Sequence, residues 1–220
     1  MNTSPVAIGE VILNGVVFDF KNWDKTRMNG DNLANTVARL FVLLNERQID
    51  FTLVGGVALL QYVEGRNTQD IDLILALSSL ERLPEIQLNQ QNDNFARGDF
   101  EGLQIDILLT QNPLFARVQL AHAASRVFAE QTIQTATVTG LILLKLYALP
   151  SLYRQGDFTR VGLYENDVAT LLYAYRPDVE AILSELAAYV SDTDMQEIRS
   201  IVADLQTRFS RFTNSSPLAE

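Results

Sequence analysis

A chain of 220 residues with 47% apolar and 20% charged residues is long enough to bury a hydrophobic core and has the composition of a globular protein. It contains no cysteine, which excludes disulfides, cysteine nucleophiles and thiolate metal sites and fits a reducing compartment. The formal net charge of -10 disfavours a long nucleic acid as a partner, because a surface that binds nucleic acid is usually basic. A protein or a small molecule is the preferred class of partner.

Targeting signals are missing from the sequence pattern. The segment MNTSPVAIGE contains neither the basic region nor the apolar run of a signal peptide. The longest apolar stretch, residues 141–149, carries Lys145 and is too short to span a bilayer. We therefore expect a cytoplasmic protein without a membrane association.

The first predicted elements are a hairpin and a helix. Residues 6–20 hold two β-prone runs around Asn14 and Gly15, a pair that favours a tight turn. Asp31 is a candidate N-cap for a following helix. The apolar positions of that helix recur at helical spacing: Leu33, Val37, Leu40, Phe41 and Leu44.

The middle of the chain predicts short strands, and the second half predicts helices. Strands are expected at residues 51–54, 70–76 and 103–109, a helix at 57–63, and a polar loop over 83–98. Pro113 suits the first turn of a helix toward Ala124, and further helices are expected at 136–149, 164–175, 177–190 and 195–212. This order indicates an α+β fold, with a small mixed sheet flanked by helices in a domain over residues 1–134 and a helical domain over 135–220 packed on it.

Two aspartates in one predicted strand are the first chemical signal. Asp70 and Asp72 are two residues apart, so their side chains project from the same face. Paired carboxylates repel each other unless a cation neutralises them, and magnesium prefers such oxygen ligands. The same spacing occurs at Asp192 and Asp194, but these precede a predicted helix, where acids favour the N-terminus. We interpret the second pair as helix capping.

A third aspartate interrupts the strand LQIDILL. Ile105 and Ile107 point away from the face that carries Asp106. A lone carboxylate in an apolar strand is costly to bury without a partner. If this strand lies beside the first, Asp106 joins Asp70 and Asp72, and three convergent carboxylates can bind two metal ions. The alternative is an edge-strand aspartate that faces solvent.

A glycine pair follows the apolar run FTLV. Gly55 and Gly56 stand between a predicted strand and a predicted helix. Such a turn offers backbone N–H groups and close access to an anion such as a phosphate. A plain strand-to-helix turn is the alternative interpretation.

These features together resemble a known family. The run VGGVALLQYVEGRNTQDIDLIL is similar to the signature of the polymerase-β-type nucleotidyltransferase superfamily, and its spelling resembles the small bacterial branch of toxin-type and abortive-infection nucleotidyltransferases. The resemblance implies that Gly55 and Gly56 help to hold a nucleoside triphosphate. It implies that Asp70 and Asp72 bind Mg²⁺ or Mn²⁺ and that Asp106 completes the site and helps to activate the acceptor hydroxyl.

The resemblance continues into the helical half. The segments LILLKLYALPSLYRQGD and YENDVATLL resemble a lysine on one helix and an acid that opens the next, which correspond to Lys145 and Asp167. Lys145 would bind the outer phosphates as a point charge; the alternative is a surface lysine. Arg66 would clamp a phosphate or neutralise the acids, and Thr68 would bind a phosphate or turn the chain. The single histidine, His122, lies in an alanine-rich segment and is interpreted as structural.

The sequence therefore predicts a metal-dependent transfer of a nucleoside monophosphate from a nucleoside triphosphate to an acceptor, with pyrophosphate leaving. The acceptor stays open among a protein, an RNA end and a small molecule. One alternative is a catalytically silent binding protein with this fold, such as a toxin–antitoxin or phage-defence component with a cognate protein partner. Another is a metal-dependent phosphohydrolase or nuclease that uses the same carboxylates.

Overall fold

A computed structural model describes residues 30–63, 70–128 and 130–213. The hairpin predicted at residues 6–20 lies outside these ranges. The chain divides between residues 141 and 142 into two compact units. No helix within the described ranges is both long enough and apolar enough to cross a membrane.

The first unit is built on one mixed seven-stranded sheet with the order β3-β4-β5-β2-β1-β7-β6. Its strands are β1 (Phe51–Val54), β2 (Ile71–Leu75), β3 (Gln87–Gln91), β4 (Phe95–Phe100), β5 (Leu103–Leu109), β6 (Ala123–Phe128) and β7 (Gln131–Ala136). Its helices are α1 (Gly30–Glu46), α2 (Gly55–Leu59), α3 (Leu77–Leu80) and α4 (Pro113–Ala121). In the centre of the sheet, β2 pairs antiparallel with β1 and parallel with β5.

Helix α1 supplies one side of the core of this unit. Its predicted apolar positions Val37, Leu40, Phe41 and Leu44 are fully buried, as the helical spacing requires. The Phe41 ring stacks on Phe51 of β1 at 5.7 Å between centroids and meets Phe128 of β6 edge-on at 5.5 Å. The helix already includes Gly30, so Asp31 lies inside the helix and the prediction that it is the N-cap is wrong.

Two predicted segments of the first unit are corrected. The loop predicted over residues 83–98 is wrong, because β3 and most of β4 lie there and pair antiparallel. The helix predicted to run from Pro113 toward Ala124 ends at Ala121. His122 is its C-cap, and a strand begins at Ala123. The proline does occupy the first turn, and the Asn112 side chain caps the helix by accepting a hydrogen bond from the Leu114 N–H.

The second unit is helical. Its elements are α5 (Val138–Gln155), which begins just before the division, α6 (Phe158–Tyr175), α7 (Val179–Leu186) and α8 (Asp192–Thr213). Helix α5 continues through Pro150 to Gln155, beyond the predicted end at residue 149. The chain then turns at Gly156, which has φ +70°, and the Asp157 side chain caps α6. The predicted α+β class is confirmed.

The second aspartate pair lies where the sequence places it. Asp192 and Asp194 occupy the first turn of α8, where negative charge is favourable. The capping side chain is Ser191, whose hydroxyl accepts a hydrogen bond from the Asp194 N–H. Asp194 also forms an ion pair with Arg154 at 2.5 Å. Neither aspartate provides the capping side chain, so the interpretation of the pair as helix capping is wrong, although both lie at a helix N-terminus.

Candidate active site

The predicted site residues form a row across the centre of the sheet. Asp72 of β2 pairs with Val54 of β1 on one side and with Asp106 of β5 on the other. Asp106 in turn pairs with Arg97 of β4. Residues that pair across adjacent strands project from the same face, so the register places two carboxylates and one guanidinium side by side.

The alternation predicted for these strands is confirmed. In β5 every second residue is buried, with Ile105 and Ile107 in the core and Asp106 partly exposed between them. In β2 Asp72 is partly exposed between buried Ile71 and Leu73. Asp70 lies one residue before β2 rather than inside it, because the strand begins at Ile71. The prediction that a strand starts at residue 70 is therefore wrong by one position.

The glycine turn lies directly against Asp72. Gly55 follows β1 with φ +63°, a conformation that favours glycine. A Cβ atom at Gly55 would lie 1.9 Å from Asp72 Oδ2 and 2.6 Å from Asp72 Cβ, so only glycine fits. The Gly56 N–H donates a long hydrogen bond of 3.4 Å to the same Oδ2. The turn and the carboxylate are thus one packed unit.

Helix α2 is shorter than predicted. It spans five residues, Gly55–Leu59, and the chain continues to Val63 as a turn. A single helical turn has few aligned peptide dipoles, so it contributes little of the helix field that a longer helix would supply. Any anion binding here depends on close backbone approach at the glycines.

Arg97 holds the third carboxylate with two hydrogen bonds. Its Nε donates to Asp106 Oδ1 and its terminal nitrogen donates to Asp106 Oδ2, each at 2.6 Å. The Gln104 amide makes a longer contact of 3.5 Å to Oδ1. The guanidinium carbon also lies 5.5 Å from the centroid of the Phe95 ring, a cation–π distance. Such a two-point contact fixes the orientation of the carboxylate as well as neutralising it.

All three predicted acids act on this one guanidinium. The pKa of Arg97 is raised above its ordinary value, first by the hydrogen bond to Asp106 and also by the negative charges of Asp106, Asp70 and Asp72, against the opposing effect of burial. Arg97 is therefore a permanent positive charge among the acids.

The donor chemistry of this cluster fits a divalent cation. Carboxylate oxygens are the ligands that Mg²⁺ prefers, and Asp72 and Asp106 stand at paired positions of neighbouring strands. Within the described residues no group of three or more His, Cys, Asp or Glu side chains is arranged to hold a metal ion. In this structure the Arg97 guanidinium binds both oxygens of Asp106.

Arg97 is the site residue that the sequence interpretation missed. It lies in the segment that was predicted to be a loop. The sequence contains a usable signal, the pair Glu101 and Gly102 between the segments FARGDF and LQIDILL. In the structure these two residues form a turn with positive φ at both positions, and the two segments are strands. Such turns join antiparallel strands in a fixed register, and that register pairs Arg97 with Asp106.

Lys145 and Asp167 pair with each other inside the second unit. Lys145 Nζ lies 2.7 Å from Asp167 Oδ2, and both side chains are almost fully buried, at 6% and 4% exposure. The Tyr164 ring lies beneath the ammonium, 4.3 Å from Nζ to the centroid. Lys145 is therefore not a surface lysine. Asp167 lies in the middle of α6 and does not open a helix, because α6 begins nine residues earlier at Phe158.

Breaking this pair is expected to destabilise the protein strongly. Lys145→Met leaves the Asp167 carboxylate buried without its ammonium, which costs about 3–5 kcal/mol of unfolding free energy. The double variant Lys145→Met/Asp167→Asn removes both charges and is expected to recover most of that loss. Urea denaturation measures the free energy of unfolding of wild type and of both variants. Arg199→Gln, which breaks the exposed pair with Glu180, is the control and should change stability by less than ~1 kcal/mol. Equal losses for Lys145→Met and Arg199→Gln would contradict the expectation.

The remaining predicted residues are Arg66 and Thr68, which lie outside the described residues. Their assignment to phosphate binding stays a prediction. So does the assignment of Lys145 and Asp167 to the triphosphate.

Comparison with solved structures identifies proteins of similar fold. Over 82% of this chain and 91% of the other, the fold matches an antigenic nucleotidyltransferase-like protein from Paracoccidioides brasiliensis, with a TM-score of 0.56 and 16% identity. The chain has a nucleotidyltransferase-like fold. The fold that the motif resemblance implies is thereby confirmed, while the toxin-type and abortive-infection branch stays a prediction.

A second match is more distant. The antibiotic-resistance factor ANT(2")-Ia, solved in complex with adenylyl-2"-tobramycin, matches with a TM-score of 0.48 and 12% identity over 80% of this chain and 98% of the other. No protein-family model and no curated protein matches the sequence.

Proposed function

We propose that the protein is a metal-dependent nucleotidyltransferase that moves a nucleoside monophosphate from a nucleoside triphosphate to an acceptor. The observation that carries the proposal is the register of β2 and β5, which pairs Asp72 with Asp106 beside the Gly55 turn in a nucleotidyltransferase-like fold. A row of carboxylates next to a close-approach glycine suits a substrate that brings phosphates and a divalent cation.

In this proposal each residue has a separate task. Asp70 and Asp72 hold Mg²⁺ or Mn²⁺, with Asp106 as the third ligand. Gly55 and Gly56 form the turn against which the triphosphate lies, since a turn without side chains lets phosphate oxygens approach the backbone. When bound, the cation supplies charge stabilisation for the phosphates and activation of the attacking oxygen.

The bond changes follow from these positions. The acceptor hydroxyl oxygen attacks the α-phosphorus, and Asp106 orients that hydroxyl or accepts its proton. The bond from the α-phosphorus to the bridging oxygen breaks, and pyrophosphate leaves with the electron pair. Arg66 is proposed to bind the outer phosphates, with Thr68 as a further nucleotide-binding residue.

The acceptor class is proposed from charge. With 27 acidic and 17 basic residues the chain favours a cationic small molecule or a protein over an extended nucleic acid. We further propose that the enzyme acts in the cytoplasm, where nucleoside triphosphates are available.

The test is a transfer assay with an extract as the source of acceptors. Wild-type protein, Mg²⁺ and each of the four nucleoside triphosphates are incubated with a cell extract, separated into small molecules, proteins and RNA. Mass spectrometry then searches each fraction for the added mass of a nucleoside monophosphate. Modification that requires wild type and is lost in Asp70→Ala/Asp72→Ala supports the proposal. No modification in any fraction, with both proteins behaving alike, contradicts it.

One observation favours a second candidate, a silent binding protein with a cognate partner. Both oxygens of Asp106 bind Arg97, so the third carboxylate is already neutralised. Calorimetry with each triphosphate separates the two candidates. Triphosphate binding without any modified product supports the silent protein, whereas binding with product supports the transferase.

A further inference from the structure

Arg97 is a cation in direct contact with Asp106, one of the predicted metal ligands. Its two hydrogen bonds to Asp106 are short and parallel, at 2.6 Å each, and they use both carboxylate oxygens. The Asp106 side chain is 14% exposed and the Arg97 side chain 31%, so the pair is shielded from solvent on most sides. Salt and water screen such a pair less than an exposed one.

The register fixes this arrangement. Arg97 and Asp106 are direct partners in the antiparallel pairing of β4 and β5, and Asp72 is the direct partner of Asp106 in β2. The Phe95 ring, two residues before Arg97 on the same strand face, lies beside the guanidinium. The positive charge is therefore held at the end of the carboxylate row by the sheet itself.

The carboxylates of Asp72 and Asp106, at paired positions of neighbouring strands, would repel each other without a cation. The charge of Arg97 offsets part of that repulsion and keeps Asp106 oriented. A divalent cation at the same carboxylates would offset the repulsion too, but it would also repel the guanidinium. The guanidinium and a metal ion would therefore compete for the carboxylate of Asp106.

We propose that Arg97 is a built-in counter-ion of the carboxylate cluster, which holds Asp106 in place when no metal ion is bound and competes with divalent cations for it. Arg97 therefore sets the metal affinity of the site and acts as a positioning residue through Asp106. This rests on the proposed function only in taking Asp106 as a metal ligand. Once displaced, the guanidinium has its N–H fork free for a phosphate oxygen.

The test is a Mn²⁺ titration without nucleotide, followed by electron paramagnetic resonance or calorimetry. Arg97→Gln is expected to bind Mn²⁺ about tenfold more tightly than wild type, the order expected when one like charge a few ångströms from the ion is removed from a partly hydrated site. Arg97→Lys keeps the charge and should stay within about threefold of wild type on the same electrostatic ground. Arg39→Gln is the matched control, because it removes an arginine from the exposed pair with Glu101 and should leave Mn²⁺ affinity unchanged.

A double-mutant cycle separates competition from simple support. Asp106→Asn should weaken Mn²⁺ binding, and Arg97→Gln should give a smaller gain in that background, because competition for Asp106 is lost while the through-space repulsion by the guanidinium remains. Metal-free Arg97→Gln should melt at a lower temperature than wild type, and Mn²⁺ should raise its melting temperature more than it raises that of wild type. Arg97→Met, which keeps an apolar stem beside Phe95, replaces Arg97→Gln if the latter does not fold.

The outcomes distinguish this proposal from the proposed function. Equal or weaker Mn²⁺ binding in Arg97→Gln, or in Arg97→Met where it replaces that variant, overturns the counter-ion role, whether or not wild type transfers nucleotides. Tighter binding in Arg97→Gln with no transfer by wild type supports the counter-ion role and contradicts the transferase. Failure of wild type and of every variant to bind Mn²⁺ overturns the counter-ion role together with the metal site.

Discussion

Asp72→Asn is expected to lower the rate of nucleotidyl transfer by about 10³-fold or more while the protein stays folded. Asparagine has the size of aspartate, so it preserves the close packing with Gly55 and can still accept the Gly56 N–H through its amide oxygen. It removes the negative charge at the centre of the row, between Val54 and Asp106. Loss of a metal-binding charge removes several kcal/mol of transition-state stabilisation, and each 1.36 kcal/mol is tenfold in rate.

The matched control for this variant is Asp93→Asn. Asp93 is exposed in the connection between β3 and β4, so the charge change is the same but the residue lies outside the row. Circular dichroism and thermal melting check that both variants fold, and initial rates of transfer compare their activities. If Asp72→Asn retained more than a tenth of the wild-type rate, Asp72 would not have the role assigned to it.

Gly55→Ala is expected to damage both stability and activity. Two costs arise at this position: φ is +63°, where an alanine is strained, and the new Cβ would lie 1.9 Å from Asp72 Oδ2 and 2.6 Å from Asp72 Cβ. Relief of the contact must move Asp72 or the turn. We expect a loss of about 1–3 kcal/mol in unfolding free energy. We expect a fall of about 10²-fold or more in transfer rate, as for a displacement of about 1 Å in a catalytic group.

Two other glycines separate the two costs. Gly156 also has a positive φ, +70°, but a Cβ there would meet nothing within 4 Å. Gly156→Ala should therefore show the backbone cost alone, about 1–2 kcal/mol, with transfer unchanged. Gly162 lies in α6 with open space around it and no positive φ, so Gly162→Ala should be neutral or stabilising by up to ~1 kcal/mol. Gly55→Ala and Gly156→Ala variants that match in both stability and transfer would show that the close approach to Asp72 is unimportant.

The strands that carry the carboxylates could be predicted because their patterns are strong. Residues 51–54 and 103–109 have the predicted bounds, and the alternation in LQIDILL placed Asp106 opposite two core isoleucines. In both segments β-branched and other apolar residues recur with period two or form a short buried run, which few other structures accommodate.

The weaker strands could not be predicted for a physical reason. β3 has the sequence QLNQQ and is exposed along its whole length, so it has no buried face to impose an alternating pattern. β4 alternates in burial, but its Arg97 contacts Asp106 in the site rather than extending into bulk solvent. An ion pair between neighbouring strands stabilises this segment, and the hydrophobic pattern of a single strand does not reveal such a pair.

The helix boundaries show a similar limit. Pro150 removes one backbone donor, and the prediction ended α5 before it, yet the helix continues because residues on both sides, among them Leu149 and Leu152, remain buried. The actual end depends on Gly156 and the Asp157 cap. Asp167 was placed near a helix start because a helix was predicted to begin at residue 164, whereas α6 begins at Phe158 after the Asp157 cap.

Much of the carboxylate site could be anticipated, but its assembly could not. The sequence identifies Gly55, Asp70, Asp72 and Asp106 as candidates, because each is costly or unusual in its own segment. Only the parallel pairing of β2 with β5 places Asp72 beside Asp106, and strand order across a sheet is not encoded in any single segment. Arg97 enters the site through the same kind of pairing.

The most direct test of nucleotidyl transfer at this carboxylate row follows the label of a nucleoside triphosphate. Wild-type protein with Mg²⁺ and an acceptor extract receives triphosphate labelled at the α- or the γ-phosphorus in parallel reactions. We predict that the α label becomes bound to an acceptor and the γ label is released in pyrophosphate, and that Asp72→Asn shows neither. Release of the γ label as inorganic phosphate, with no α label on any acceptor, would contradict nucleotidyl transfer and indicate a phosphohydrolase.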